Sequence, residues 1–230
     1  MDSRRKFLRN SFLLAGSAAL PAPSLLAGEN GSSTTDQDIE LQNDFKNTYV
    51  KNVFVTENEF RNAKPNLVPA PSFAQAKEML PLPNWKGNQA AIDMYWKAWE
   101  IAFKNIKDPA PKSGFIASYI DTAYNGNIFM WDSTFITMFA RYGTRAYPFQ
   151  QTLDNFYGKQ HPDGFICREI WGLTGKDCFH RYDPTSTGPN LIPWSELEYY
   201  RQFGDIQRLH KIFPVLCAYY QWLRLNRTWK

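Results

Sequence analysis

At 230 residues, with 43% hydrophobic and 21% charged side chains, the chain can bury one substantial core and is not of disordered composition. Its formal charge of +4 is concentrated at the start: Arg4, Arg5, Lys6 and Arg9 against Asp2 hold a net +3 within residues 1–27, so the remainder is nearly neutral. That balance leaves no electrostatic footprint for nucleic acid or anionic lipid and points to a neutral or weakly charged partner.

Residues 1–27 combine a basic start, an uncharged stretch rich in Leu and Ala, and the ending "PAPSLLAG". The pair Arg4-Arg5 in Ser-Arg-Arg-Lys-Phe-Leu resembles a twin-arginine export signal, which implies the twin-arginine machinery as a partner and a periplasmic or secreted destination. An ordinary secretory signal or a short amphipathic helix is the alternative. No Cys follows "LLAG", which argues against a lipoprotein anchor. The uncharged run from Ser11 is broken by Pro21 and Pro23, too short for a stable membrane span, and no span is expected in the mature chain.

Residues 28–85 form a linker and a short extended N-terminal arm. Residues 28–45 are polar, "NTYVKNVFVTENEF" offers one strand or an extended arm, and the Pro-rich Lys64–Pro83 piece reads as a wrapping connection. From residue 86 the pattern is helical. Ala91, Ile92, Tyr95, Trp96, Trp99, Phe103 and Ile106 recur at helical spacing from Asn88 until Pro109 and Pro111. A second helix is expected from Asp132 to Tyr142, with Gly143 as its stop, and a third from Pro148 to about Lys159. "HPDGFICREIWG" reads as a turn and a short extended piece, and "LTGKDCFHRYDPTSTGPN" as a long loop. A fourth helix, Pro189–Phe203, and a fifth, Asp205 to about Asn226, are separated only by Gly204, with Asp205 as a cap. This is a tight antiparallel hairpin in which Pro214 is expected to bend the second member.

The aromatic content, eight Trp, twelve Tyr and seventeen Phe, fits either a large helical core or a cleft for ligands with apolar faces and hydroxyl edges, sugars above all. Cys167, Cys178 and Cys217, with His161, His180 and His210, lack metal-ligand spacing, so no zinc site is expected, and no nucleotide loop or other cofactor motif is present. Cys167 and Cys178 flank a short loop and could pair in an oxidising compartment.

Helices joined alternately by tight turns and long loops predict an all-α chain built as an α/α toroid, an (α/α)6 barrel. Five helices do not close such a ring and the chain ends at "LRLNRTWK", so the toroid is expected to be incomplete and the chain to be the N-terminal part of a longer protein.

Three segments, "FMWDSTFITMFARYG", "PFQQTLDNFYGKQHPDGFICREI" and "TGPNLIPWSELEYYRQFGDIQRLHKIFPVLCAYYQWLRLNR", resemble the six-hairpin glycosidases related to trehalase, processing α-glucosidase I and mannosylglycerate hydrolase, over about residues 88–230. The resemblance implies an (α/α)6 barrel that hydrolyses α-glycosides, α-glucosides or α-mannosides, with inversion. It implies that Asp132 holds sugar hydroxyls while Phe129 forms the wall, with Trp131 between them. A carboxylate accepts two hydroxyl hydrogen bonds at once, and a ring covers a sugar's C–H face. The competing reading makes Asp132 a helix N-cap. Arg168 and Glu169 match the place of a pocket-reaching arginine, or form a surface ion pair. Asn190 departs from the Pro-Pro lead-in of relatives and offers an amide to substrate. Trp194 is core or pocket floor, and of Glu196 and Glu198, on different faces, at least one is solvated or paired with Arg201.

Inversion needs an acid and a base about 6.5 to 9.5 Å apart. The resemblance places both beyond Lys230, so no catalytic residue is assigned here, although Asp132, Asp163, Glu169 and Glu196 are carboxylates that could be nominated. Alternatives of other classes are a non-catalytic carbohydrate-binding toroid and another toroid enzyme, such as a polysaccharide lyase or a sugar epimerase.

Overall fold

The computed structural model describes residues 47–228; the expected export signal, 1–27, and the expected linker, 28–45, lie outside the described residues. The fold is mainly α, about 51% helical with six α-helices among the described residues and two small sheets.

The arm is not a strand. "VFVTE" and "EFRN" form two 3-10 turns, Val53–Glu57 and Glu59–Asn62, whose free amides are met by Asn52 and Asn58: the Phe54 amide donates to one side chain and the Phe60 amide to the other. A local asparagine cap outweighs β-branched propensity here. The Pro-rich connection contains one short helix, α1 (Phe73–Ala76), closed by a Ser72/Gln75 capping box.

Helix α2 (Gln89–Lys104) begins under an Asn88 cap and buries Trp99, Ala102 and Phe103. Two-residue strands follow: β1 (Ile106–Lys107) pairs antiparallel with β2 (Tyr119–Ile120), Lys107 opposite Tyr119. β3 (Ile128–Phe129) runs without a linker into helix α3 (Met130–Ala140), which tightens into a 3-10 turn at Arg141–Gly143. The helix expected over 148–159 is split into a 3-10 segment, Phe149–Leu153, and α4 (Asp154–Gly158). In the tighter segment tertiary partners take the polar side chains: Thr152 Oγ1 accepts from the Ile120 amide at 3.1 Å and Gln151 donates to the Ser118 carbonyl at 3.1 Å.

Strand β4 (Glu169–Ile170) pairs antiparallel with β3, placing Phe129 opposite Glu169. The long loop carries one 3-10 turn, Pro184–Ser186, capped by Asp183. Helix α5 (Ile192–Phe203) starts three residues later than expected, with Pro193 in its first turn, and ends at Gly204, whose φ of +69° only glycine adopts readily. Asp205 then caps α6 (Ile206–Asn226), accepting from the Arg208 amide at 2.9 Å, and Pro214 lies inside this helix.

One core gathers Phe156, Tyr157, Phe165, Ile166, Tyr219 and Trp222; a second gathers Trp99, Phe103, Tyr147 and Phe149. Gly164 allows α6 to approach the first. Its φ is +99°, and a Cβ there would lie 2.4 Å from the Ala218 carbonyl oxygen. Gly164→Ala is therefore expected to cost about 1–3 kcal/mol, seen as a lower urea midpoint with unchanged slope.

Candidate functional site

The organising acid at the head of α3 is Asp121, which sequence reasoning missed. It follows β2 and is 1% exposed. Its Oδ2 accepts from the Phe129 amide at 2.7 Å and from Ser133 Oγ at 2.8 Å, and its Oδ1 accepts from the Thr122 amide at 2.6 Å. Burial pushes its carboxyl up to about 6, against these hydrogen bonds and the charge of Lys107, which pull it down. The local signal for it was the Asp-Thr pair, an Asx turn closing a strand; its bonds to Phe129 and Ser133 are not local.

With Phe129 amide held by Asp121 and the Met130 amide donating to the Arg168 carbonyl at 2.8 Å, the start of α3 needs no cap from Asp132. Phe129 occupies the cap position and its side chain makes no capping bond. Asp132 sits in the first turn, where the helix dipole favours a carboxylate, is half-buried, and has no hydrogen-bond partner among the described residues. The N-cap reading is thereby corrected: the fold does not use this carboxylate.

Beside it lies a cavity of about 270 Å3, lined by Phe129, Met130 and Trp131 at the β3–α3 junction, by Arg168, and by Thr185 and Thr187–Pro189 of the long loop. Three of the expected site residues, Phe129, Trp131 and Arg168, thus meet. Arg168 donates from Nε to the Thr185 carbonyl and lies 4.2 Å from the centre of the Phe179 ring. It does not pair with Glu169. Glu169, the first residue of β4, instead accepts from the Asn127 side-chain Nδ2 at 2.7 Å.

Asp132, Glu169, Asn190 and Trp194 do not line the cavity. Asn190, next to Pro189, has a buried Oδ1 without a partner among the described residues. Trp194 is neither core nor floor: it is 47% exposed, while Ser195 and Glu196 form the buried side of α5.

The other nominated carboxylates are engaged. Asp163 accepts from Arg181 and from Trp222 Nε1, each at 3.0 Å. Glu196, 2% exposed, accepts from Tyr157 Oη at 2.7 Å and from Arg208 at 2.7 and 2.8 Å, and Arg208 also donates to Asp154 at 2.9 Å. Burial first, with Glu196 adding to it, pushes Asp154 up to about 6 against Arg208. Glu198 pairs with Arg201 at 2.7 Å, as its position on the other face of the helix suggested.

All three cysteines are free, so the pairing open to Cys167 and Cys178 is not formed in this structure. Among the described residues no cluster of His, Cys, Asp or Glu is placed to hold a metal ion, and no helix is long and apolar enough to cross a membrane. Comparison with protein-family models, with curated proteins and with solved structures gives no match.

Proposed function

We propose that this chain forms one sugar-binding wall of an exported α-glycoside hydrolase built on an α/α toroid. The observation that carries the reading is the aromatic-walled cavity of Phe129 and Trp131 with Arg168, beside a carboxylate, Asp132, that the fold leaves unengaged. Rings cover the apolar faces of a pyranose, while a carboxylate and a guanidinium meet its hydroxyl edges. The cavity lining contains no carboxylate, so its residues bind and orient rather than transfer protons. Proton transfer belongs to the acid and base that the six-hairpin resemblance assigns elsewhere, and the 230-residue chain alone binds without turnover. The Arg4-Arg5 motif supports export by the twin-arginine route.

Calorimetric titration with α-linked glucose and mannose disaccharides tests this. Binding is expected, and Trp131→Ala is expected to weaken it roughly tenfold, the worth of one aromatic face. Asp132→Ala, which stands outside the lining, should weaken it less than Trp131→Ala and cost at most about 1 kcal/mol of stability, the worth of a first-turn carboxylate. Absence of sugar binding would overturn the reading, and hydrolysis by residues 1–230 would overturn the assignment of proton transfer elsewhere.

A further inference from the structure

Cys167 and Cys178 stand on the two arms of one hairpin. Ile170 bridges Asp177 in antiparallel fashion, and the Cys178 amide donates to the Glu169 carbonyl at 3.0 Å, which sets Cys178 opposite Glu169. Cys167 lies two residues before β4, ahead of the bend at Arg168, and comes back toward Cys178 through its own contacts. The Asn127 side-chain Nδ2 reaches both Glu169, at 2.7 Å, and Cys178 Sγ, at 3.7 Å. Cys167 Sγ lies 3.7 Å from the Phe179 carbonyl oxygen and against the backbone amide of Cys178 itself.

We propose that this pair is an oxidation site, joined into an intramolecular disulfide by a small-molecule disulfide such as oxidised glutathione. Cys167 is buried and Cys178 only partly so, which makes Cys178 the first to react. Its thiolate displaces one glutathione thiolate, breaking the glutathione S–S bond and forming a mixed disulfide. The Cys167 thiolate then attacks the Cys178 sulfur and expels the second glutathione. Two protein thiols are oxidised and one glutathione disulfide is reduced to two thiols, which take up the two protons released. Burial pushes Cys167 up to about 11 and Cys178 up to about 12, so exchange is slow and suits a staple made once in an oxidising compartment rather than a rapid sensor. The staple would sit beside the cavity, because Arg168, which lines it, follows Cys167 in the chain and stacks on Phe179, which follows Cys178.

The test is to incubate the purified chain with oxidised glutathione at mildly alkaline pH, trap it with acid and iodoacetamide, and map it by non-reducing digestion and mass spectrometry. The peptides carrying Cys167 and Cys178 are expected as one species, two hydrogens lighter than their sum. The thermal midpoint should rise by roughly 5–10 °C, and the rise should vanish in Cys178→Ser. Oxidation that stops at a glutathione adduct, joins either residue to Cys217, or leaves both thiols open to alkylation after unfolding would overturn the proposal. No ligand takes part, so the outcome is independent of the sugar reading.

Discussion

Arg208→Met is expected to lower the stability of the protein by about 3–5 kcal/mol, the range for removing one partner of a buried ion pair. The guanidinium joins three helices at once: it grips Glu196 of α5 through two bonds and donates to Asp154 of α4 from its own position on α6. Without it two carboxylates share one buried site, and Glu196 is left with only the Tyr157 hydroxyl. A methionine fills the space of the stem but supplies neither charge nor fork. Arg208→Lys should fall between wild type and Met, since it restores the charge and not the bidentate geometry. Urea unfolding followed by circular dichroism measures all three, and a loss below 1 kcal/mol for Met would refute the idea that this network staples the helices.

The second large effect is one of pH, and its sign is unusual for a carboxylate. Asp121 has a folded value of about 6 against an ordinary value of 3.8, so the folded protein binds its proton more tightly than the unfolded chain does. Its contribution to stability is fully present below the ordinary value and is lost as pH rises through about 6. Moving from about pH 7 to about pH 4 should therefore add stability from this group, of the order of 3 kcal/mol at about 1.4 kcal/mol per unit. Asp154, raised to about 6 by burial, acts in the same direction. Glu100 and Asp183 are held low, by Lys104 with Lys97 and by Thr185 respectively, so their contributions are lost only further into acid. The difference between wild type and Asp121→Asn, each unfolded with urea across this range, isolates the contribution of this carboxyl. If wild type loses stability relative to Asp121→Asn on acidification, the hydrogen bonds at Asp121 outweigh its burial and the reasoning fails.

Where structure rests on neighbours in the chain, it was legible. The α5–Gly204–α6 hairpin follows from one glycine and one capping aspartate, and α2 follows from its apolar spacing under Asn88. The β3–α3 junction was not legible in the same way. Helix α3 buries Ser133, Thr134 and Thr137 and exposes Trp131, Phe135 and Phe139, the reverse of what hydropathy alone would assign. The inversion works because the buried hydroxyls have partners: Ser133 on Asp121, Thr134 on the Met130 carbonyl, Thr137 on Ser195. The Thr134 bond is local to the helix, but the partners of Ser133 and Thr137 lie on other elements, and no periodicity in a single segment encodes them. For the site, the resemblance named Phe129, Trp131 and Arg168, which share a cavity, but gave no sign that Glu169 turns to Asn127 or that Trp194 stands in solvent.

The two sides of the cavity differ mechanically. On one side Phe129, Met130 and Arg168 belong to a single frame, since β3 pairs with β4 and the Met130 amide is tied to the Arg168 carbonyl; this jaw has no hinge. The opposite jaw is the end of the long loop, and it is moored from α6. Arg227 donates to the carbonyls of Arg181 and Asp183, at 2.8 and 2.9 Å, and to Ser186 Oγ at 3.0 Å. Arg227, just past the last turn of α6, also reaches the rim itself through Thr187 Oγ1 at 3.2 Å, and the Arg168 amide ties the two jaws directly on the Ser186 carbonyl at 3.0 Å, so any widening of the mouth must break that tie as well as slacken the mooring from α6.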